Sequence, residues 1–262
     1  MAMAYEVLAV RYATLRSTKA EFYYRHHSYG EPDAELDMDY YFWLLRDGDE
    51  TIVVDCGFSP EAGARRGRPW LCEPVDALLA LGVEPESVST VVVTHLHYDH
   101  IGNLAAFPAA TLCVPRRELD FWTGPIAKRF QFAWVAEPAE IDFVARAADA
   151  GRVRLTEGRE EICDGVTAIT VGGHSPGQQI IVVARPGGDV VLASDAAHFS
   201  EELELERPFA VIHDLEQMYA AYDLLKGFAA AGSVVVTGHD PGEARRFPVV
   251  ARVGAGEALR IA

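Results

Sequence analysis

The sequence has no two cysteines placed to share a metal. Its four, Cys56, Cys72, Cys113 and Cys163, are scattered, and none stands in a C-x-x-C pair. That argues against a structural zinc knuckle and points to reduced thiols packed in a core. No segment approaches the roughly 20 apolar residues needed to span a bilayer. Residues 1–10 lack the basic start and sustained apolar stretch of a secretory leader. A cytoplasmic protein without membrane contact is the resulting expectation. Positive charge is also scarce, with 23 Lys and Arg against 39 Asp and Glu and a net charge of −16. Such a field repels phosphate backbones, so nucleic acid is not expected as a partner, and solvated acidic faces account for most of the excess. Low-complexity linkers are absent too. At 262 residues, half of them hydrophobic, the chain is long enough for a large layered core and reads as one domain over 1–262.

What is present is concentrated in Val91-Val92-Val93-Thr94-His95-Leu96-His97-Tyr98-Asp99-His100. The valines predict a strand over 88–94 buried on both faces. Three histidines and an aspartate follow it within six positions. Alternate residues of an extended chain share a side, so His95 and His97 point at one ion. Asp99 and His100 lie where the chain turns and address a second, with Gly102 and Asn103 suited to a tight turn. His and Asp avoid the end of an apolar strand unless they have partners, and neutral imidazole is a ligand for zinc and similar ions. The stretch reads as metal-binding.

The remaining pattern places strands at Glu6 to Arg11 and Tyr40 to Leu45, in an antiparallel, partly exposed sheet. Another runs from Thr51 to an acidic end at Asp55, after the hairpin signal Asp47-Gly48-Asp49. A helix is predicted over Glu73 to Leu81, with Gly82 past its end, and a convincing amphipathic helix over Leu215 to Phe228. Between Arg116 and Ala150 the pattern is mostly helical and rich in aromatics. The part from Phe121 to Trp134 is a candidate wall for a substrate pocket. After Gly151 strands return, and the two groups of strands suggest two similar halves of a sandwich. Three later strands end on candidate ligands: His174 in Val171-Gly-Gly-His174-Ser-Pro-Gly177, Asp195 after Val190, and His239 after Val234. A rigid scaffold positions such strand-end loops, which is where catalytic groups gather.

With these residues assembled, the sequence resembles the metallo-β-lactamase superfamily. Its H-x-H-x-D-H motif stands as His95-Leu-His97-Tyr-Asp99-His100, and its later ligands match His174, Asp195 and His239 in order. The resemblance runs roughly from Tyr40 onward. It implies an α/β (α+β) fold, a four-layer αββα sandwich with metals at the edge where the halves meet. It further implies two Zn2+ ions, although Fe, Mn or Co would suit the same donors. One ion would sit on His95, His97 and His174, the other on Asp99, His100 and His239. Asp195 would bridge them, and Asp55 in Val53-Val-Asp55-Cys-Gly57 would support them from behind. His97 stands where flavin-partnered di-iron members usually carry Glu, which favours hydrolysis over oxygen chemistry. Asp195 separates the chain from true β-lactamases, which lack that bridging aspartate.

The phrases His95-Leu-His-Tyr-Asp-His-Ile-Gly-Asn, Gly173-His-Ser-Pro-Gly-Gln, Ser194-Asp-Ala-Ala and Thr237-Gly-His-Asp are similar to those of the N-acyl-homoserine lactonase family and its pyridoxolactone-opening relative. The implied reaction is lactone opening by a hydroxide shared between two zinc ions, with Asp99 as ligand and proton carrier. One position departs. Those lactonases usually carry Tyr three residues after the bridging aspartate, and here His198 stands there, able to donate a hydrogen bond to the developing oxyanion. That change bears on the substrate more than on the reaction type. Alternatives on the same scaffold are an ester, amide or thioester hydrolase of the glyoxalase type, a phosphodiesterase, and, from another class, a non-catalytic metal-binding protein. The expected partner is a small-molecule lactone or ester. The resemblance allows a homodimer, which no segment specifies.

Overall fold

A computed structural model describes residues 5–48 and 50–262. Asp49 of the hairpin signal and residues 1–4, where a secretory leader would begin, lie outside the described residues. The chain runs through β1 (Glu6–Thr18), β2 (Glu35–Asp47), β3 (Glu50–Val54), β4 (Thr90–Val92), β5 (Thr111–Pro115) and β6 (Val153–Thr156). It continues through β7 (Arg159–Cys163), β8 (Val166–Thr170), β9 (Gln179–Val183), β10 (Val190–Ser194) and β11 (Val234–Thr237), and then β12 (Val249–Val253) and β13 (Gly256–Arg260). These form an eight-stranded sheet, β12-β13-β1-β2-β3-β4-β5-β6, and a five-stranded sheet, β11-β10-β9-β8-β7.

The two sheets pack face to face through alternate residues. Val7, Trp43 and Val54 of the larger sheet share one core cluster with Val166, Ile181 and Leu192 of the smaller. The opposite sides of the same strands, such as Leu8, Phe42 and Val53, belong to a second cluster with Leu78, Val144, Met218 and Leu225 from helices Pro74–Ala80, Pro138–Asp149 and Leu215–Ala230. Two sheets inside two helical layers make the four-layer αββα sandwich. Because helices cover its outer side, the run from Tyr40 to Leu45 is buried throughout, not partly exposed as expected. The halves are also unequal, since β12 and β13 return to pair with β1. Cys56, Cys72 and Cys113 are buried, Cys163 is partly so, and all four are free thiols. Among the described residues no helix is long and apolar enough to cross a membrane.

Strand direction decides where the polar residues gather. β3 to β6 run parallel, so Asp55 and Thr94, just past β3 and β4, emerge at the same edge. β10 and β11 are parallel as well, which brings Asp195 beside Gly238 and His239. In open α/β sheets the carboxyl ends of parallel strands are where ligands bind.

Candidate metal centre

The β4 ladder stops at Val92, earlier than the strand expected over 88–94, because the backbone changes partner. Val93 N still donates to Cys113 O of the β5 neighbour at 2.9 Å, and it is Thr94 that turns away, donating from N and Oγ1 to the Asp55 carboxylate, both at 2.8 Å. Asp55 reaches back in a left-handed conformation, φ 59°, which Asp tolerates better than most residues. Its Oδ2 also lies 2.7 Å from His100 Nδ1. His97 then caps the short helix Tyr98–Ile101, which carries Asp99 and His100 on its first turn. Gly102 and Asn103 form the turn expected there, Gly102 with an ordinary φ of −66°. Glycine is required there because a Cβ would collide with the backbone of Phe58 and Ser59. The Asn103 amide donates to Cys56 O at 2.8 Å and Phe58 O at 3.1 Å, tying the motif to the loop after β3.

The imidazoles are aimed by what their far nitrogens hold. His174 Nδ1 meets Val211 O at 3.0 Å, His239 Nδ1 meets Asp39 O at 2.8 Å, and His95 Nδ1 meets Thr94 Oγ1 at 3.1 Å. With His100 on Asp55, four rings have Nδ1 engaged and Nε2 turned inward. His97 is reversed, its Nδ1 lying 2.9 Å from His174 Nε2. Such anchoring of one ring nitrogen fixes tautomer and direction in metal-binding histidines. At the centre Asp195 is divided between two groups. Its Oδ2 faces His174 Nε2 at 3.3 Å and His95 Nε2 at 3.8 Å, while its Oδ1 faces His239 Nε2 at 3.1 Å and His100 Nε2 at 3.3 Å. Four donor triads have the spacing to hold an ion: His95, His97 and His174; Asp99, His100 and His239; His95, His100 and Asp195; and His174, Asp195 and His198. The structure therefore brings together all seven residues singled out in the sequence.

Burial above all holds His95 and His174 well below the usual imidazole range and takes His97 down to about 3, so all three are neutral. Burial acts the same way on His100 and His198 but is outweighed. Asp195, Asp55 and Asp99 surround the first, and Asp195 and Glu202 flank the second, which rises to about 9. A proton and a metal ion compete for the same lone pairs, so a field that attracts one attracts the other. The donors fit a cation. His95 Nε2 and His100 Nε2 are buried with no hydrogen-bond partner. Seven carboxylates are buried among the described residues and no Lys or Arg is, and two of the seven, Asp99 and Asp195, face these histidines. Uncompensated, such groups are costly to bury. The rest of the 39 acidic residues are at least partly exposed where described, in keeping with an excess that is mostly solvated surface.

His198 is fully buried, with its ring stacked on Phe209 at 3.7 Å between centroids. Its Nε2 is 3.1 Å from Asp195 Oδ2 and its Nδ1 3.3 Å from Glu202 Oε1. Two clefts meet at the centre. One of about 400 Å³ is lined by Leu15, Phe22, Met38 and Phe209 with Asp99, Asp195 and His198. Another, of about 280 Å³, is lined by Phe121, Trp122, Phe132 and His213, and both reach His97, His174 and Trp134. The aromatic segment thus supplies part of each wall, although Phe130 points away and is 80% exposed. Sequence reasoning missed three buried glutamates that hold the ligand loops. Glu118 accepts from Leu96 N, Glu202 from His198 N and Phe199 N, and Glu243 from Thr237 N. A glutamate on a short helix carries no local mark of burial.

Comparison with known proteins agrees with this geometry. A family model described as "Metallo-beta-lactamase superfamily" matches residues 39–239. The N-acyl homoserine lactonase AttM of Azorhizobium caulinodans is 31% identical over 234 residues, 79% of this chain and 84% of that protein. A crystal structure of a quorum-quenching N-acyl homoserine lactone lactonase superposes with a TM-score of 0.78 at 23% identity, over 95% of this chain and 98% of that one. AidC, a dizinc quorum-quenching lactonase in complex with its product, gives 0.74 at 16% identity, over 100% and 96%. With the fold, the histidine and aspartate clusters and a family match over most of its length, the chain belongs to the metallo-beta-lactamase superfamily and is a metal-dependent hydrolase.

Proposed function

We propose that this hydrolase opens a lactone ring, an N-acyl-homoserine lactone or a similar one, at a dinuclear zinc centre. The observation that carries the reading is the division of Asp195, whose two oxygens face two separate donor groups beside an apolar cleft of substrate size. His95, His97 and His174 would hold one ion and Asp99, His100 and His239 the other, with Asp195 between them. Nitrogen and carboxylate donors of this kind suit zinc. Bound ions would lower the pKa of water and polarise a carbonyl oxygen, which is the chemistry that ester hydrolysis needs. Asp99 borders the larger cleft, where its carboxylate takes up the proton released by the attacking water and returns it to the ring oxygen. His198, poised between two carboxylates, stabilises charge that develops on the substrate oxygen. The acyl chain lies along Leu15, Phe22 and Met38. Residues 1–262 act as one domain in this reading, since β13 closes onto β1. The named relatives support a lactone substrate, and the dizinc neighbour supports the metal.

The test is hydrolysis by zinc-loaded protein of short- and long-chain acyl-homoserine lactones, a plain γ-lactone, a thioester and a phosphodiester, with metal content measured alongside. Lactone turnover with two ions per chain is expected, and Asp195→Ala should lose both turnover and an ion. Two ions retained in that variant would overturn the ligand assignment. Turnover confined to the thioester would move the substrate.

A further inference from the structure

The signature Gly173-His-Ser-Pro-Gly177 contains more than a ligand, and the function described so far uses only His174. Ser175 and Gly177 both turn to the same buried group. Ser175 Oγ donates to Glu118 at 2.6 and 2.8 Å, and Gly177 N donates to Glu118 Oε1 at 2.5 Å. From the other side, Leu96 N, between His95 and His97, donates to Glu118 Oε2 at 2.9 Å. Trp122 Nε1 donates to that oxygen at 2.8 Å, and its ring stands edge-on to His97 with centroids 5.4 Å apart. Every partner is a donor, so the carboxylate acts purely as an acceptor. The fit is close: a Cβ on Gly177 would lie 2.8 Å from Glu118 N and 3.0 Å from its Cγ. One fully buried side chain on the helix Arg116–Trp122 therefore joins two loops far apart in sequence, and those loops supply His95, His97 and His174. Among the described residues no hydrogen bond links it to Asp99, His100 or His239, which are held by Asp55, Asp39 O and the helix Tyr98–Ile101.

We infer that Glu118 is the positioning residue of the three-histidine ion alone, fixing the distance between its two ligand loops. This rests on the two-ion reading above. Partners behind a metal ligand commonly change its affinity by about 10–100-fold, and here one such group serves three ligands. Glu118→Gln keeps the shape but forces an NH2 against either Gly177 N–H or the Leu96 and Trp122 donors. Ser175→Ala removes one donor and leaves the carboxylate, so it folds even if the first variant does not.

The experiment is competitive titration of metal-free wild type and both variants with Co2+, following ligand-field absorption and bound metal per chain. In Glu118→Gln one ion should bind about 10–100-fold more weakly, with a changed imidazole-rich spectrum, and the other should stay within about twofold. Ser175→Ala should show a smaller loss in the same ion. Equal loss of both ions, or unchanged affinity and spectrum in the variants, overturns the inference. If wild type holds one ion only, the two-ion reading falls, and whether that ion loosens in the variants still decides Glu118.

Discussion

Asp195 is a single carboxylate facing two ways, and the backbone before it is bent to permit this. Ser194 sits at φ 46°, an unusual value for a residue with a side chain. Gly238 is packed so tightly against it that a Cβ would lie 2.6 Å from Ser194 O. Strain here is stored where the metal donors are set. Away from the centre, Glu140 shows a different residue-scale effect. Its Oε1 accepts from Ser59 Oγ at 2.9 Å, but its buried Oε2 has no partner. Burial pushes its carboxyl up to about 7. The folded chain thus keeps a proton that the unfolded chain has released above its ordinary pKa near 4.3. Stability from this group is present at low pH and is lost as pH rises from about 4.5 to 7. Glu140→Gln should remove that loss, leaving the variant relatively more stable at pH 8 than at pH 5. Melting temperatures of both proteins across this range will show it, and parallel curves would contradict it.

At the scale of elements, the short helix Tyr98–Ile101 matters more than its length suggests, because the loop after β3 lies directly against it. Gly102→Ala should cost about 1–3 kcal/mol or more, the range for overpacking, since the collision is with backbone and cannot be relieved by a rotamer. Chemical denaturation will measure this, and an unchanged midpoint would mean the loop shifts freely. The histidines and aspartates that gather at the centre were legible in the sequence. Polar residues ending runs such as Val190 to Ala193 or Val234 to Val236 violate the apolar pattern, and a violation is visible locally. The carboxylates behind them were not legible, apart from Asp55, because Glu118, Glu202 and Glu243 sit among other charged residues on short helices. Their burial depends on loops that arrive from elsewhere. β12 escaped notice for a related reason: Val249 and Val250 remain exposed, so no buried face patterned that strand. β7, with Arg159, Glu160 and Glu161, is an edge strand whose charges resemble a loop.

For the molecule as a whole, the centre lies on the seam between the sheets, and its charges are unbalanced without a cation. Removing metal should therefore loosen the entire fold. An ion present at a thousandfold excess over its dissociation constant contributes about 4 kcal/mol. For a chain of this size each kcal/mol is worth about 2–4 °C. Treatment with a chelator should lower the melting temperature by about 10 °C, and zinc should restore it where magnesium does not, given the nitrogen donors. An unchanged melting temperature after metal removal would show that the seam holds without it. The sequence indicated layered strands and a shared edge, but not the unequal division into sheets of eight and five. That depends on the return of β12 and β13 to β1, a pairing across nearly the full length of the chain.

That seam also has a calendar. Its donors are spread from residue 95 to residue 239, and a ribosome delivers them in that order. His95, His97 and His174 are all available once residue 174 has emerged, with Asp195 soon after, whereas the group of Asp99 and His100 waits for His239. Glu118 has been synthesised well before His174. Translation therefore makes the three-histidine group available first, and the group of Asp99, His100 and His239 is complete only once β11 has been made and can pair with β10.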